Sequence, residues 1–182
     1  MTLPLLIVDV QTGFMNDFTH HIPRRVVRLI EQETYSPILF TRFINSPDSP
    51  YTHLLKWDGC HEAPETDLAT ELAPYVQSQC VFSKPGLCGI PNELADYLNR
   101  HQIQQIAVVG IDTDMCVLKI AMDLFDQGIE PIVLTDCCAS TAGLQAHLAG
   151  LAVLSRNIGA QRLRDAGLGE GTLAAPVANQ NH

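Results

Sequence analysis

An aspartate, a lysine and a cysteine each stand where a short apolar run gives out in this 182-residue chain. Asp9 ends the run that opens at Leu5. Lys84 lies just beyond Cys80 to Phe82, in Phe82-Ser83-Lys84-Pro85-Gly86, and Cys116 follows Ile106 to Ile111, in Gly110-Ile111-Asp112-Thr113-Asp114-Met115-Cys116. A free thiol has a pKa of about 8.5, and a helix N-terminus or a nearby cation favours the reactive thiolate. A neighbouring carboxylate opposes it, so Asp9 fits as the group that accepts the thiol proton, with Lys84 holding that carboxylate and offsetting its charge. Backbone N–H groups in the turn that follows could hold an oxyanion. Taken singly, each residue has a plainer reading: a strand-end aspartate, a solvated lysine, a cysteine buried as a small apolar side chain. Their joint placement is what suggests acyl transfer.

That placement depends on the elements between them. Runs rich in β-branched residues at Leu5 to Val10, Ile38 to Phe43, Cys80 to Phe82, Ile106 to Ile111 and Pro131 to Thr135 read as strands buried on both faces. Helical spacing separates them: Val26, Val27 and Ile30 before the second run, Leu94 and Leu98 before the fourth. Asp112 and Thr113 can cap a third helix running from Val117 to a stop at Gly128. A helix from about Gly143 to Asn157 and a weak sixth strand near Ala160 to Leu163 complete a Rossmann-like α/β fold with helices around a parallel sheet. The carboxyl ends of such strands share one edge, which is how distant residues meet. The polar stretch from Asn45 to Thr66, with Pro47, Pro50 and Pro64, reads as an excursion over that edge. Residues 1–165 read as one domain and 166–182, rich in Gly, Ala and Asn, as a tail that frays or docks on a neighbour.

Composition excludes several function classes. A hydrophobic content of 46% in a chain of this length suits one domain with a real core. The formal net charge of -9 argues against nucleic acid or anionic membranes as partners, since both need clustered positive charge. Asp9 interrupts the first apolar run too early for a signal peptide or a membrane span, so a cytoplasmic protein is expected. Its six cysteines then read as free thiols.

The three positions and their neighbours resemble the isochorismatase-like cysteine hydrolases, a group that includes nicotinamidases, N-carbamoylsarcosine amidases and ureidoacrylate amidohydrolases. The resemblance runs from about Leu5 to Leu163. It rests on Asp9-x-Gln11-x-x-Phe14, on Lys84-Pro85 after a short strand, and on Gly110-Ile111-x-Thr113-Asp114-x-Cys116-Val117, continued by Ala121, Asp123 and Gly128 and by Asp136-Cys137 with Ala139-Ser140. It implies a six-stranded parallel sheet with a triad of Asp9, Lys84 and Cys116. It also implies a cis peptide between Ile111 and Asp112, an oxyanion hole from the N–H groups of Asp112 and Cys116, and a homo-oligomer. Isochorismatase itself cleaves a vinyl ether and lacks the cysteine, so Cys116 points to carbon–nitrogen hydrolysis of a small molecule.

Phe14, Phe43, Tyr51, Trp57 and Leu87 are candidate pocket walls by nearness to the motifs. The Asp-x-His and following His that bind a metal in nicotinamidases have no counterpart between Thr41 and His53. Asp48, His53, Asp58 and His61 match no ligand spacing and read as loop residues, so neither a metal nor a cofactor is expected. Two other readings stand beside this one: a protein that keeps the fold for binding without catalysis, and a dinucleotide-dependent oxidoreductase. The latter lacks a G-x-G-x-x-G after the first strand.

Overall fold

The computed structural model describes residues 2–86 and 89–168. Six strands form one parallel sheet: β1 (Leu3–Val8), β2 (Tyr35–Phe43), β3 (Val81–Lys84), β4 (Gln105–Ile111), β5 (Glu130–Ala139) and β6 (Leu163–Arg164), in the order β3-β2-β1-β4-β5-β6. The central strands β1 and β4 are apolar on both faces, as a sheet covered on both sides requires. Alternate residues divide between two cores. Leu6 and Val8 face α3 (Asn92–Arg100), α4 (Leu118–Asp126) and α5 (Leu144–Ile158), while Leu5 and Ile7 face α1 (Ile22–Gln32) and the turn at Thr70–Tyr75. This is the three-layer α/β arrangement read from the sequence.

The chain leaves β1 toward β2 and β3 on one side, then crosses to β4, β5 and β6 on the other. β1 and β4 therefore flank the point where strand order reverses, the usual ligand crevice of open α/β sheets. Asp9 follows β1, Cys116 follows β4, and Lys84 ends β3 in register with Phe43 of β2. Gly110 allows β4 to approach β1 here: its φ is 130°, and a Cβ would lie 2.1 Å from the Val8 carbonyl oxygen. The peptide between Ile111 and Asp112 is cis, as the family resemblance implied.

Three elements differ from the sequence reading, the first being the sixth strand, which is only Leu163–Arg164 because Ala160–Arg162 forms a 3₁₀ turn. β5 continues past Thr135 to Ala139, because its register on β4 shifts between Val108↔Val133 and Gly110↔Cys138. Within that irregular stretch Asp136 turns out to meet Arg25 at 2.8 Å and the Ala166 amide at 2.8 Å. The helix expected from Asp112 begins instead as a π-helical turn, Thr113–Val117, in which the Val117 amide donates to the Asp112 carbonyl at 2.9 Å.

The polar excursion is a closed loop carrying one short helix, α2 (Pro50–His53), capped by Ser49, whose hydroxyl accepts the Thr52 amide. Asn45 pins its two ends: its amide donates to the Cys60 carbonyl at 2.8 Å and its Nδ2 to the Gly59 carbonyl at 3.0 Å. The returning strand of chain then zips onto residues 10–13 through Gly13 N–H to Glu65 O, Thr12 N–H to Asp67 O and Ala69 N–H to Val10 O. At the other end, Leu168 is buried and its carbonyl accepts from Arg28 at 2.7 Å, so the first residues of the tail dock on α1. Residues 169–182 of the tail lie outside the described residues. No helix among the described residues is long and apolar enough to cross a membrane.

Candidate active site

Asp9 is fully buried and takes a left-handed backbone, φ 48°, at the residue where β1 gives way. Aspartate is among the residues that tolerate this region. Thr41, on the neighbouring strand opposite Val8, fixes it twice: the Thr41 hydroxyl donates to Asp9 Oδ1 at 2.7 Å and accepts the Asp9 amide at 3.2 Å. The Lys84 ammonium sits 2.7 Å from Asp9 Oδ2, 3.3 Å from Cys116 Sγ and 3.1 Å from the Gly86 carbonyl. The Phe43 ring covers it, with its centroid 5.3 Å from Nζ. The structure thus brings Asp9, Lys84 and Cys116 together, each of them buried.

The folded chain adds burial to the opposing influences on the thiol. Burial, reinforced by the Asp9 carboxylate, raises the Cys116 thiol well above its ordinary value, and the opposing pull of Lys84 is too weak to reverse this. Burial thus favours the neutral form of the Cys116 thiol. Burial also works against the Lys84 ammonium, but its partners, the Asp9 carboxylate foremost, outweigh this and hold its pKa above the ordinary lysine value. The site is a Lys84–Asp9 pair beside a buried sulfur.

Of the three, Cys116 lines a cavity of about 330 Å³. Four of the sequence candidates, Phe14, Phe43, Tyr51 and Trp57, line it, and Leu87 lies outside the described residues. The four rings form one cluster, with Phe14 and Trp57 stacked at 6.4 Å and Phe43 edge-on to Tyr51 at 5.4 Å. Asp112 also lines the cavity, but it neither caps the helix nor points free into the space. Its carboxylate accepts the Thr141 amide at 2.6 Å and the Thr141 hydroxyl at 2.8 Å.

A family model for the isochorismatase domain matches residues 4–163. The chain belongs to the isochorismatase family. Isochorismatase domain-containing protein 2 of Bos taurus is 30% identical over 59 residues, a stretch covering 32% of this chain and 29% of that protein. The N-carbamoylsarcosine amidase of Thermoplasma acidophilum superposes with a TM-score of 0.74 at 19% identity, covering 94% of this chain and all of that one. The nicotinamidase of Bacillus subtilis superposes equally, at 0.74 and 20% identity over 91% of this chain and 100% of its own. At these identities the superpositions establish the fold.

Within this isochorismatase domain the loop carboxylates and histidines pair off separately. His61 bridges Asp58 at 2.7 Å and the Asn45 carbonyl at 2.8 Å, and His53 lies 3.8 Å from Asp48. Among the described residues no group of three or more His, Cys, Asp or Glu side chains is placed to share an ion.

Three positions that sequence reasoning gave no role serve the site. Thr41, placed by the sequence only within the second strand, holds Asp9. Gln11 acts as a strand partner for Phe43, accepting its amide at 2.7 Å and donating to its carbonyl at 2.9 Å, while also donating to Thr66 O at 3.1 Å. Thr141 anchors Asp112. The available signal was a polar residue inside or just after a buried strand, which needs a partner.

The buried thiols carry a stability consequence. Cys60, Cys80, Cys116, Cys137 and Cys138 are buried and free. Burial raises all five, Cys60 to about 11 and Cys137 to about 12, above the value of an unfolded thiol. As pH climbs past about 8.5 the unfolded chain loses thiol protons that the folded chain keeps, so stability falls. Urea unfolding at pH 7.5 and pH 10 should show a loss on the order of 1 kcal/mol per pH unit for each such thiol. A flat profile would contradict the burial of these groups.

Proposed function

We propose that this protein is a cysteine-dependent hydrolase that cleaves a carbon–nitrogen bond, an amide or carbamoyl linkage, in a small molecule through a thioester on Cys116. One observation carries the reading: the Lys84 ammonium lies 2.7 Å from Asp9 and 3.3 Å from the Sγ of Cys116, which lines the cavity. The names of the N-carbamoylsarcosine amidase and nicotinamidase neighbours support it.

The neutral thiol makes Asp9 a base at the moment of attack. As Sγ closes on the substrate carbonyl, its proton passes to Asp9, and the carbonyl electrons move onto oxygen, held by the N–H groups of Asp112 and Cys116. Collapse of that oxyanion breaks the carbon–nitrogen bond, and protonated Asp9 returns the proton to the leaving nitrogen, which departs as ammonia or an amine. Water then enters, Asp9 takes one of its protons, and hydroxide adds to the thioester. The acid leaves and the proton restores the thiol. Lys84 stays paired with Asp9 and balances charge as sulfur loses its proton.

Thr41 follows as a positioning residue. Thr41→Val keeps the β-branched shape but removes the bond to Asp9 Oδ1, and should lower kcat by about 10- to 100-fold with KM little changed, while Thr41→Ser restores most of it. Equal kcat in the valine variant and wild type would remove that role. The reading as a whole is tested by ammonia release over primary amides, ureido acids and carbamoyl compounds, run with the wild type beside Cys116→Ala. Release by the wild type only is expected. Equal release by both would refute the nucleophile.

A further inference from the structure

The cavity above Cys116 is walled by Phe14, Phe43, Tyr51, Leu55, Trp57 and Met115. Among the described residues its lining includes no lysine, arginine or histidine. The nearest ammonium, Lys84, has three N–H donors, and Asp9, Cys116 Sγ and the Gly86 carbonyl take all three. Asn16 and Thr141 on the wall are likewise engaged with their own surroundings. Asn16 Nδ2 donates to the Thr141 carbonyl at 2.9 Å, and Asn16 Oδ1 accepts from the Phe18 amide at 2.9 Å and the Thr19 hydroxyl at 3.2 Å. Thr141 in turn gives both its amide and its hydroxyl to Asp112.

A substrate carboxylate entering this space would give up water and meet apolar rings and the carboxyl group of Asp112. Burial of an unpaired carboxylate is opposed strongly enough that such a group rarely stays ionised there. An uncharged apolar group instead exchanges water for aromatic contact, which is favourable in proportion to the area covered.

We infer that the acyl part of the substrate is an uncharged apolar group, aromatic or branched aliphatic, and that carboxylate-bearing amides and ureido acids are turned away. This rests on the amide-hydrolase reading. The loop closed by Asn45 sets the preference, because Tyr51, Leu55 and Trp57 all belong to it. Leu55 is 68% exposed, so truncating it changes the wall without removing a core residue.

Two measurements test the inference. In the first, Cys116 of the wild type is alkylated with iodoacetamide or with iodoacetate, located by peptide mapping, and the rate ratio is compared with that of N-acetylcysteine. The neutral reagent should be favoured at Cys116 by about 100-fold more than at the free thiol. In the second, ammonia release is followed for neutral primary amides of growing apolar acyl groups and for isosteres ending in a carboxylate. The apolar series should show rising kcat/KM, with Leu55→Ala lowering it about 10-fold for the largest members. An alkylation ratio no greater than that of the free thiol, or carboxylate isosteres cleaved as fast as their neutral counterparts, overturns the inference. A retained alkylation bias with no ammonia from any amide would instead uphold charge exclusion and count against amide cleavage.

Discussion

Lys84→Met is expected to lower unfolding stability by about 3 to 5 kcal/mol and to abolish hydrolysis, because it leaves the fully buried Asp9 carboxylate without its cation. Asp9→Asn should be destabilising for the mirror-image reason, leaving a buried ammonium beside a neutral amide. The double variant, Asp9→Asn with Lys84→Met, removes both charges and should recover much of the stability while remaining inactive. Urea unfolding of all four proteins gives the coupling energy directly. Additive losses in the double variant would show that the two charges do not depend on each other. Restored stability without restored ammonia release would separate the pair's structural role from its chemical one.

Cys116→Ala should lower kcat by about 10⁵-fold or more, since Cys116 is the one cysteine among the described residues that line the cavity. Cys116→Ser tests the same point with size nearly preserved. A hydroxyl is a far weaker acid than a thiol, so the Asp9 carboxylate should fail to activate it and turnover should stay near that of the alanine variant. Both replacements should also remove one thiol's share of the alkaline loss of stability, a readout independent of catalysis. Loss of activity together with a flatter alkaline profile would place the same buried sulfur at the centre of both effects.

The sheet was legible because its strands are short apolar runs separated by helical spacing. The third motif was legible because Gly110, Thr113 and Cys116 sit at fixed offsets after the fourth of them. β5 was only half visible: its end depends on a register shift against β4, a property of two strands at once. Thr41 was hidden for a similar reason, since its closeness to Asp9 follows from the pairing of Val8 with Thr41. The direction of the Cys116 shift could not be read from local features. A helix start and a lysine both favour thiolate, but burial belongs to the assembled fold and outweighs them. The excursion was found from its polarity and prolines, yet its closure by Asn45, which carries Tyr51 and Trp57 over the sulfur, needed the folded chain.

The most direct test of a thioester on Cys116 is the intact mass of the wild-type enzyme after rapid acid quench during turnover of a neutral primary amide, followed by peptide mapping. An acyl adduct is expected on the peptide that contains Cys116, and none from Cys116→Ala. Steady turnover with no adduct on that peptide, and the same turnover in Cys116→Ala, would contradict it.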